Sequence, residues 1–227
     1  MVPAGREGTV GRPGPSVGGM SVDVLLARQG GLVSRDQALA AGLSRGAVDH
    51  LVRVRRWRPL HPRVYLAAGH PHDAAARVRA ALLWAGEGAV LDGPAAAWWW
   101  GLLDAPPSVV GITVPGPRSG RPSVALRRRD LPAADVVRRR GVTVTGLART
   151  VLDTAVDLGA DGPAFLDRAL RDRAPLAALV AAHRRGGGPG SATAGRLLAA
   201  RTGPVAPPPA ARTGTPPQVP IRAGTST

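Results

Sequence analysis

The sequence predicts an α/β protein in which an N-terminal winged helix-turn-helix precedes a small α/β domain, with a disordered tail at each end. Three observations predict this arrangement. Residues 34–51 have the spacing of a helix-turn-helix, residues 70–202 alternate helical and strand periodicities, and both ends are rich in glycine and proline without periodicity. We therefore expect disorder over residues 1–19 and 203–227, the winged helix over residues 20–69, and the α/β domain over residues 70–202.

Composition favours a polyanionic partner and excludes several classes of site. The chain has 227 residues, a net charge of +15 and a pI near 11.9, and a charge of this sign favours nucleic acid. All 30 basic residues are arginine, which points to GC-rich coding, so part of the charge reflects codon usage. The absence of cysteine excludes disulfides and thiolate metal sites and suits a reducing cytosol. No apolar run approaches the roughly 20 residues that span a bilayer, so we expect a cytoplasmic protein without a membrane segment.

The helix-turn-helix prediction depends on spacing within residues 34–51. Counted from Ser34, the small residue Ala38 is at position five, Gly42 at nine, Val48 at fifteen and Leu51 at eighteen. A small side chain lets the two helices approach, and glycine supplies the positive φ of the tight turn. The two apolar residues then fix the second helix against the first.

Residues that favour helix starts agree with this spacing, and a wing follows. Ser21 caps a short first helix, Ser34 with Gln37 forms a capping box, and Ser44 caps the second helix of the pair. Residues 57–66 contain two prolines and an alternating apolar tail, a pattern typical of a hairpin-like wing. Three helices and a wing make a winged helix-turn-helix.

The second helix of the pair, expected over Ser44–Arg56, is the candidate recognition helix. With Val48 and Leu51 turned inward, Arg45 and Asp49 near its N-terminus are the best candidates for contacts with base edges. Arg53, Arg56, Arg58 and Arg63 are expected to hold phosphates. The residues expected to bind double-stranded DNA are Arg35, Ser44, Arg45, Gly46, Asp49, His50, Arg53, Arg56, Arg58 and Arg63. The alternative is that these arginines form the solvated face of a winged helix that contacts proteins.

The second domain is predicted from six helical segments and three strands. The helices are expected at residues 74–85, 94–103, 147–158, 163–172, 176–184 and 194–201, and the strands at 109–114, 123–128 and 141–145. The turn-rich loop between the first two strands favours a hairpin. Three adjacent tryptophans, residues 98–100, cannot share one helix face, so two are expected to pack and one to meet a neighbouring element or a partner. Core packing is favoured over a base-stacking platform.

No catalytic, metal or cofactor site is predicted. The histidines at residues 70 and 72 have no carboxylate or cysteine cluster to complete a metal site, and Asp73 is a better helix cap than a ligand. Arg149 and Asp153 are four residues apart and can pair on one helix face. No general base, nucleophile or phosphate loop accompanies them, so they are expected to act as an internal strut. The glycine run at residues 186–190 follows no strand and lacks the lysine of a phosphate loop.

Residues 20–175 resemble the AbiEi-type antitoxins of type IV toxin–antitoxin systems, in the form common in actinobacteria. The strongest match is residues 142–155, VTVTGLARTVLDTA, which is similar to that family's V-T-x-x-x-R-T-x-x-D-x-A signature from strand to helix. Gly-Leu-Val-Ser at residues 31–34, and the segment from Trp57 to Tyr65, match its winged helix. The chain departs from the family at Arg63, where glycine is usual, and at residues 92–94, which replace a Ser-His pair.

The resemblance implies a repressor of its own operon that counters a nucleotidyltransferase toxin without obligatory contact between the two proteins. We expect an operator of inverted repeats and no enzymatic activity. In many relatives the same region precedes a Vsr-like endonuclease domain, so the alternative is a DNA-targeting module whose nuclease is lost or supplied in trans. The sequence after Asp172 contains no Asp or Glu, and a metal-dependent nuclease needs carboxylates for its ion. We therefore expect no nuclease in this chain.

Overall fold

A computed structural model describes residues 20–116, 120–187 and 190–202. The disorder predicted for residues 1–19 and 203–227 lies outside the described residues. Within them the protein has the predicted α/β class, with a helical N-terminal unit followed by a second unit built on a mixed sheet. No described helix is long and apolar enough to cross a membrane.

The N-terminal unit is a winged helix. Its elements are α1 (Val22–Arg28), β1 (Leu32–Ser34), α2 (Arg35–Ala40), α3 (Arg45–Arg53), β2 (Trp57–His61) and β3 (Val64–Ala67). The three strands form an antiparallel sheet in the order β1-β3-β2. The segment before Ser34 is therefore a strand paired with the wing.

Helix starts in this unit follow the predicted caps. The Ser34 hydroxyl accepts a hydrogen bond from the Gln37 backbone at 3.1 Å, and the Gln37 side chain accepts one from the Ser34 backbone at 3.0 Å. The Ser44 hydroxyl accepts from the Ala47 backbone. Gly42 has a φ of +96° between α2 and α3, and the buried Ala38 and Val48 close the helix pair. The predicted capping box and turn are confirmed.

The second unit contains a five-stranded sheet in the order β6-β5-β4-β8-β7. Its strands are β4 (Val90–Leu91), β5 (Val110–Val114), β6 (Val124–Arg128), β7 (Val136–Arg139) and β8 (Val142–Thr145). Its α-helices are α4 (Ala74–Ala85), α5 (Gly93–Trp100), α6 (Leu147–Asp157), α7 (Gly162–Asp172), α8 (Leu176–Arg185) and α9 (Ser191–Ala199). Short 3₁₀ turns occur at Ala133–Asp135 and Gly159–Asp161.

The predicted hairpin between β5 and β6 is wrong, because the two strands are parallel, with Val110 opposite Val124 and Val114 opposite Arg128. The nine residues between them can span about 30 Å when extended, enough for the chain to return to the starting end of β5. The hairpin in this sheet is instead formed by β7 and β8. Its two-residue turn, Arg140-Gly141, has positive φ at both positions, as a type I′ turn requires.

Helix α4 packs against both units. Ala80, which is fully buried, joins Leu32, Val64 and Leu66 on the wing sheet. Other α4 residues, including Val78, belong to the core of the second sheet. Helices α6 to α9 build a separate apolar cluster. The winged helix and the second unit therefore share α4 as a common layer.

All three tryptophans of α5 pack on the core of the second sheet. This agrees with the core packing that the sequence favoured over a base-stacking platform. Trp99 is buried and its indole N–H donates to the Arg139 carbonyl at 3.0 Å. The half-buried Trp100 donates to the Thr145 carbonyl at 3.0 Å and lies under the Arg139 guanidinium. Trp98 meets the edge of Trp99. These contacts bind α5 to the β7–β8 hairpin.

Candidate nucleic-acid interface

Helix α3 exposes the predicted face. Val48 is buried against the winged-helix core, and Leu51 packs partly buried beside it. The residues left exposed are Ser44, Arg45, Gly46, Asp49, His50 and Arg53. This division follows the period of 3.6 residues, because one apolar stripe turns inward and the polar positions remain outside.

The N-terminal end of α3 carries a free cation. Arg45 is at the first helical position and has no ion pair or side-chain hydrogen bond within the described residues. Gly46 follows it, and a β-carbon added there would meet only the Ser44 hydroxyl, at 4.0 Å. Open space beside an unpaired guanidinium lets a nucleic acid approach the first turn closely.

The Asp49 carboxylate already forms an ion pair within the protein. Its two carboxylate oxygens accept hydrogen bonds from the two terminal nitrogens of Arg35 at 2.6 and 3.1 Å. The hydrogen bond from Arg35 holds the pKa of Asp49 below its ordinary value, and the same bond raises the pKa of Arg35. Arg35 also lies 3.4 Å from the Tyr65 hydroxyl. A base amine could bind Asp49 only by displacing this guanidinium. The ion pair instead holds α3 against α2 and the wing.

The candidate recognition helix, α3, is shorter than predicted. It ends at Arg53 rather than Arg56, because Val54 caps it and Arg55 adopts a left-handed φ of +58°. Arg53 lies 2.9 Å from Nδ1 of His50. Arg56 is exposed in the turn that enters β2, with no ion pair in the described chain. Arg55 is equally exposed and was missed by the sequence analysis, although it adjoins the predicted phosphate contacts.

Arg63 is at the tip of the wing and has a left-handed φ of +64°. This is the position at which the AbiEi-type pattern has glycine, and the arginine keeps the conformation that glycine would favour. Its guanidinium pairs with the Asp36 carboxylate, and both side chains are more than half exposed. An exposed pair of this kind is weak, so a phosphate can compete for Arg63.

Arg58 lies on the opposite face of the wing sheet from α3. Side chains alternate along a strand: Trp57 faces the winged-helix core, whereas Arg58 pairs with Leu66 on the face that α4 covers. Arg58 therefore lies on a different face of the wing sheet from α3, and its contact with a DNA phosphate stays a prediction. The alternation of Trp57 and Arg58 was the sequence signal that could have shown this difference of face.

Two buried ion-pair groups occupy the second unit. The Arg149 guanidinium donates to Asp135 at 3.2 Å and to the Ala182 carbonyl at 2.6 Å, and is 3.9 Å from Asp153. Asp153 is instead held by both terminal nitrogens of Arg129. The expected strut therefore exists, but each member has its closer partner on another element.

Arg129 also lies 3.6 Å from Asp92 at the start of α5. Asp92 is fully buried and accepts a hydrogen bond from the Thr113 hydroxyl, while its Oδ1 has no hydrogen-bond partner among the described residues. Burial raises the pKa of Asp92, although Arg127, Thr113 and Arg129 oppose the shift. The described residues contain no group of three His, Asp or Glu that could hold a metal ion.

No family model and no curated protein matches the chain. Among solved structures, the chain aligns with the crystal structure of the RV2827C protein from Mycobacterium tuberculosis, with 23% sequence identity and a TM-score of 0.41. The alignment covers 77% of this chain and 78% of that chain.

Proposed function

We propose that this protein binds double-stranded DNA through its winged helix, with α3 in the major groove. The observation that carries the proposal is the first turn of α3, where the exposed and unpaired Arg45 stands beside Gly46. Recognition helices contact base edges mainly through their N-terminal residues, and arginine can donate two hydrogen bonds to guanine. Arg53 and Arg56 are assigned to phosphates, and the Arg35–Asp49 pair orients the helix.

The proposed biological role is repression of its own operon as the antitoxin of a type IV toxin–antitoxin system in the cytoplasm. Residues 142–155 support this role through their resemblance to the AbiEi-type signature. The functional partner is a nucleotidyltransferase toxin, without obligatory contact between the two proteins. The ion-paired Arg149 and Asp153 support a structural role for this signature and a protein without catalytic activity.

Fluorescence anisotropy with the protein's own promoter and a random duplex tests the DNA assignment. Arg45→Ala should cost about 1–3 kcal/mol on the promoter and reduce discrimination between the two DNAs. Arg56→Ala should weaken both complexes alike and reduce the slope of log K against log salt by about one unit. Arg168→Ala on α7 removes an exposed arginine elsewhere and should change neither complex. Equal losses from all three variants would show that only net charge matters.

A footprint on the promoter separates repression from the alternative of a nuclease-targeting module. Protection of an inverted repeat supports the repressor. Uniform coating that disappears as salt is raised supports an unspecific targeting module, because phosphate contacts carry no sequence information.

A further inference from the structure

A cavity of about 210 Å³ lies where the wing sheet, α4 and the second sheet meet. The wing contributes Arg58 and His61, the linker contributes His72, and α4 contributes Arg77. Ser108 and Ser123, which lie just before β5 and β6, complete its polar wall. The cavity is on the face of the wing sheet that α4 covers, away from α3.

The lining of this cavity has one sign of charge. The described residues around it include two arginines, two histidines and two serines, and no Asp or Glu. Neither Arg58 nor Arg77 has an ion pair or a side-chain hydrogen bond in the part of the chain that the structure describes, whereas Arg35, Arg127, Arg129, Arg149, Arg185 and Arg201 all pair with carboxylates. Two arginines at one cavity, with no carboxylate among its described lining, leave a positive charge that an anion can neutralise.

His61 adds a hydrogen-bond donor to the cavity wall without adding a charge. Burial and, to a smaller extent, the neighbouring Arg121 hold the pKa of His61 below its ordinary value. His61 stacks on Trp84 with a centroid distance of 5.7 Å, which fixes its ring at the cavity wall. A neutral imidazole can donate one hydrogen bond and the serine hydroxyls can donate others. The wall therefore offers guanidinium, imidazole and hydroxyl donors together.

The volume of the cavity limits the size of the ligand. Pockets for drug-sized molecules have about 300–1,000 Å³, and this cavity is smaller. Guanidinium groups match the geometry of phosphate oxygens and bind them with paired, charge-assisted hydrogen bonds. We propose that the cavity binds phosphate, either as the free ion or as the phosphate group of a small monoester. Because its walls come from both units, a bound phosphate would join the wing to the second sheet.

Titration of the full chain with sodium phosphate tests the proposal, with sodium chloride at matched ionic strength as the reference. A phosphate concentration of ten times Kd should raise the melting temperature by about 3–6 °C. The chain has five histidines, so proton NMR of the imidazole rings locates the ligand. The His61 and His72 resonances should shift with phosphate, and those of His50 on α3 and His183 on α8 should not.

Arg77→Gln and Arg58→Gln should each weaken phosphate binding at least about tenfold, because each removes a charge-assisted donor. The matched control is Arg168→Gln, which removes the same charge from α7 and should leave binding unchanged. Far-UV circular dichroism establishes that the variants fold, and the exposed Arg58 gives a second test should Arg77→Gln unfold. Equal weakening by the control, or equal shifts of all the histidines, would overturn the proposal.

A DNA phosphate is the other source of the same chemistry. If the cavity binds free phosphate or a small monoester, glycerol phosphate should bind equally well with and without a saturating duplex. Loss of that binding on addition of duplex, together with weaker DNA binding by Arg77→Gln, would overturn the assignment to a small ligand. The phosphate titration needs no DNA, so failure of the DNA proposal and failure of this one are distinguishable.

Discussion

Replacement of Arg149 by alanine should destabilise the second unit strongly. The Arg149 side chain is 7% exposed, and it donates to the Asp135 carboxylate and to the Ala182 carbonyl. The variant leaves that carbonyl unpaired in the interior, which costs about 1–3 kcal/mol. It also removes one of two guanidinium partners from a carboxylate that is 2% exposed. With the lost packing of the side-chain stem, the free energy of unfolding should fall by about 3–5 kcal/mol, the range for a broken buried pair.

Arg185 is a matched control because it binds the same carboxylate from the other side. Its nearest contact with Asp135 is 2.5 Å, but its side chain is 39% exposed. In Arg185→Ala the Asp135 carboxylate keeps its hydrogen bond from Arg149, and loss of the half-exposed side chain opens the carboxylate to water. This variant should therefore cost about 1 kcal/mol. Both variants remove one guanidinium from Asp135, but only Arg149 is buried and only Arg149 also donates to the Ala182 carbonyl.

Urea unfolding followed by far-UV circular dichroism measures the free energy of unfolding of both variants, and thermal unfolding measures their melting temperatures. The melting temperature should fall by about 6–20 °C for Arg149→Ala and by no more than about 4 °C for Arg185→Ala. Equal losses would refute the reasoning, because they would show that burial of the guanidinium does not determine the cost. A loss below 1 kcal/mol for Arg149→Ala would show that the Ala182 carbonyl finds water.

Three further outcomes follow from named contacts. Ser34→Ala removes the capping box and should cost about 1 kcal/mol in urea unfolding, whereas Ser21→Ala, at a more exposed helix start, is the control and should cost less. Arg140→Gly relieves a left-handed residue in the β7–β8 turn and should raise the melting temperature by a few degrees, since this conformation costs a non-glycine residue about 1–2 kcal/mol; a lower melting temperature would contradict it. The raised pKa of Asp92 favours the native state fully below its ordinary value of 3.8 and loses this effect as pH rises through the folded value. Wild type should therefore lose stability relative to Asp92→Asn as the pH rises above about 4, and a constant difference between the two unfolding free energies would contradict the assignment.

The winged helix could be predicted because its signals are local. A capping box joins residues three positions apart, and the exposed face of α3 follows from a period of 3.6 residues. The end of α3 was overestimated because Arg55 has no feature that indicates its left-handed conformation. The pairing of Asp49 with Arg35 joins residues fourteen positions apart and depends on the angle between two helices, which spacing does not give.

The second unit was harder to predict for a different reason. The strands at residues 109–114 and 123–128 were located, but their relative direction depends on the path of the connecting loop, and a turn-rich composition fits either direction. The two residues of β4 are too few to show a period, and β7 was missed between the β6 strand and the β8 strand that were recognised. Arg149 and Asp153 were expected to pair with each other, but their main partners, Asp135 and Arg129, come from other elements.

Because α4 covers Leu32, Val64 and Leu66, the winged helix is not a separable folding unit. A fragment that stopped at Ala68 would present these apolar side chains to water and would be expected to aggregate. Recombination that moved the winged helix to another protein would have to carry α4 as well, or supply a helix with a residue as small as Ala80 at the same place. Inheritance of the winged helix is therefore tied to inheritance of the layer behind it.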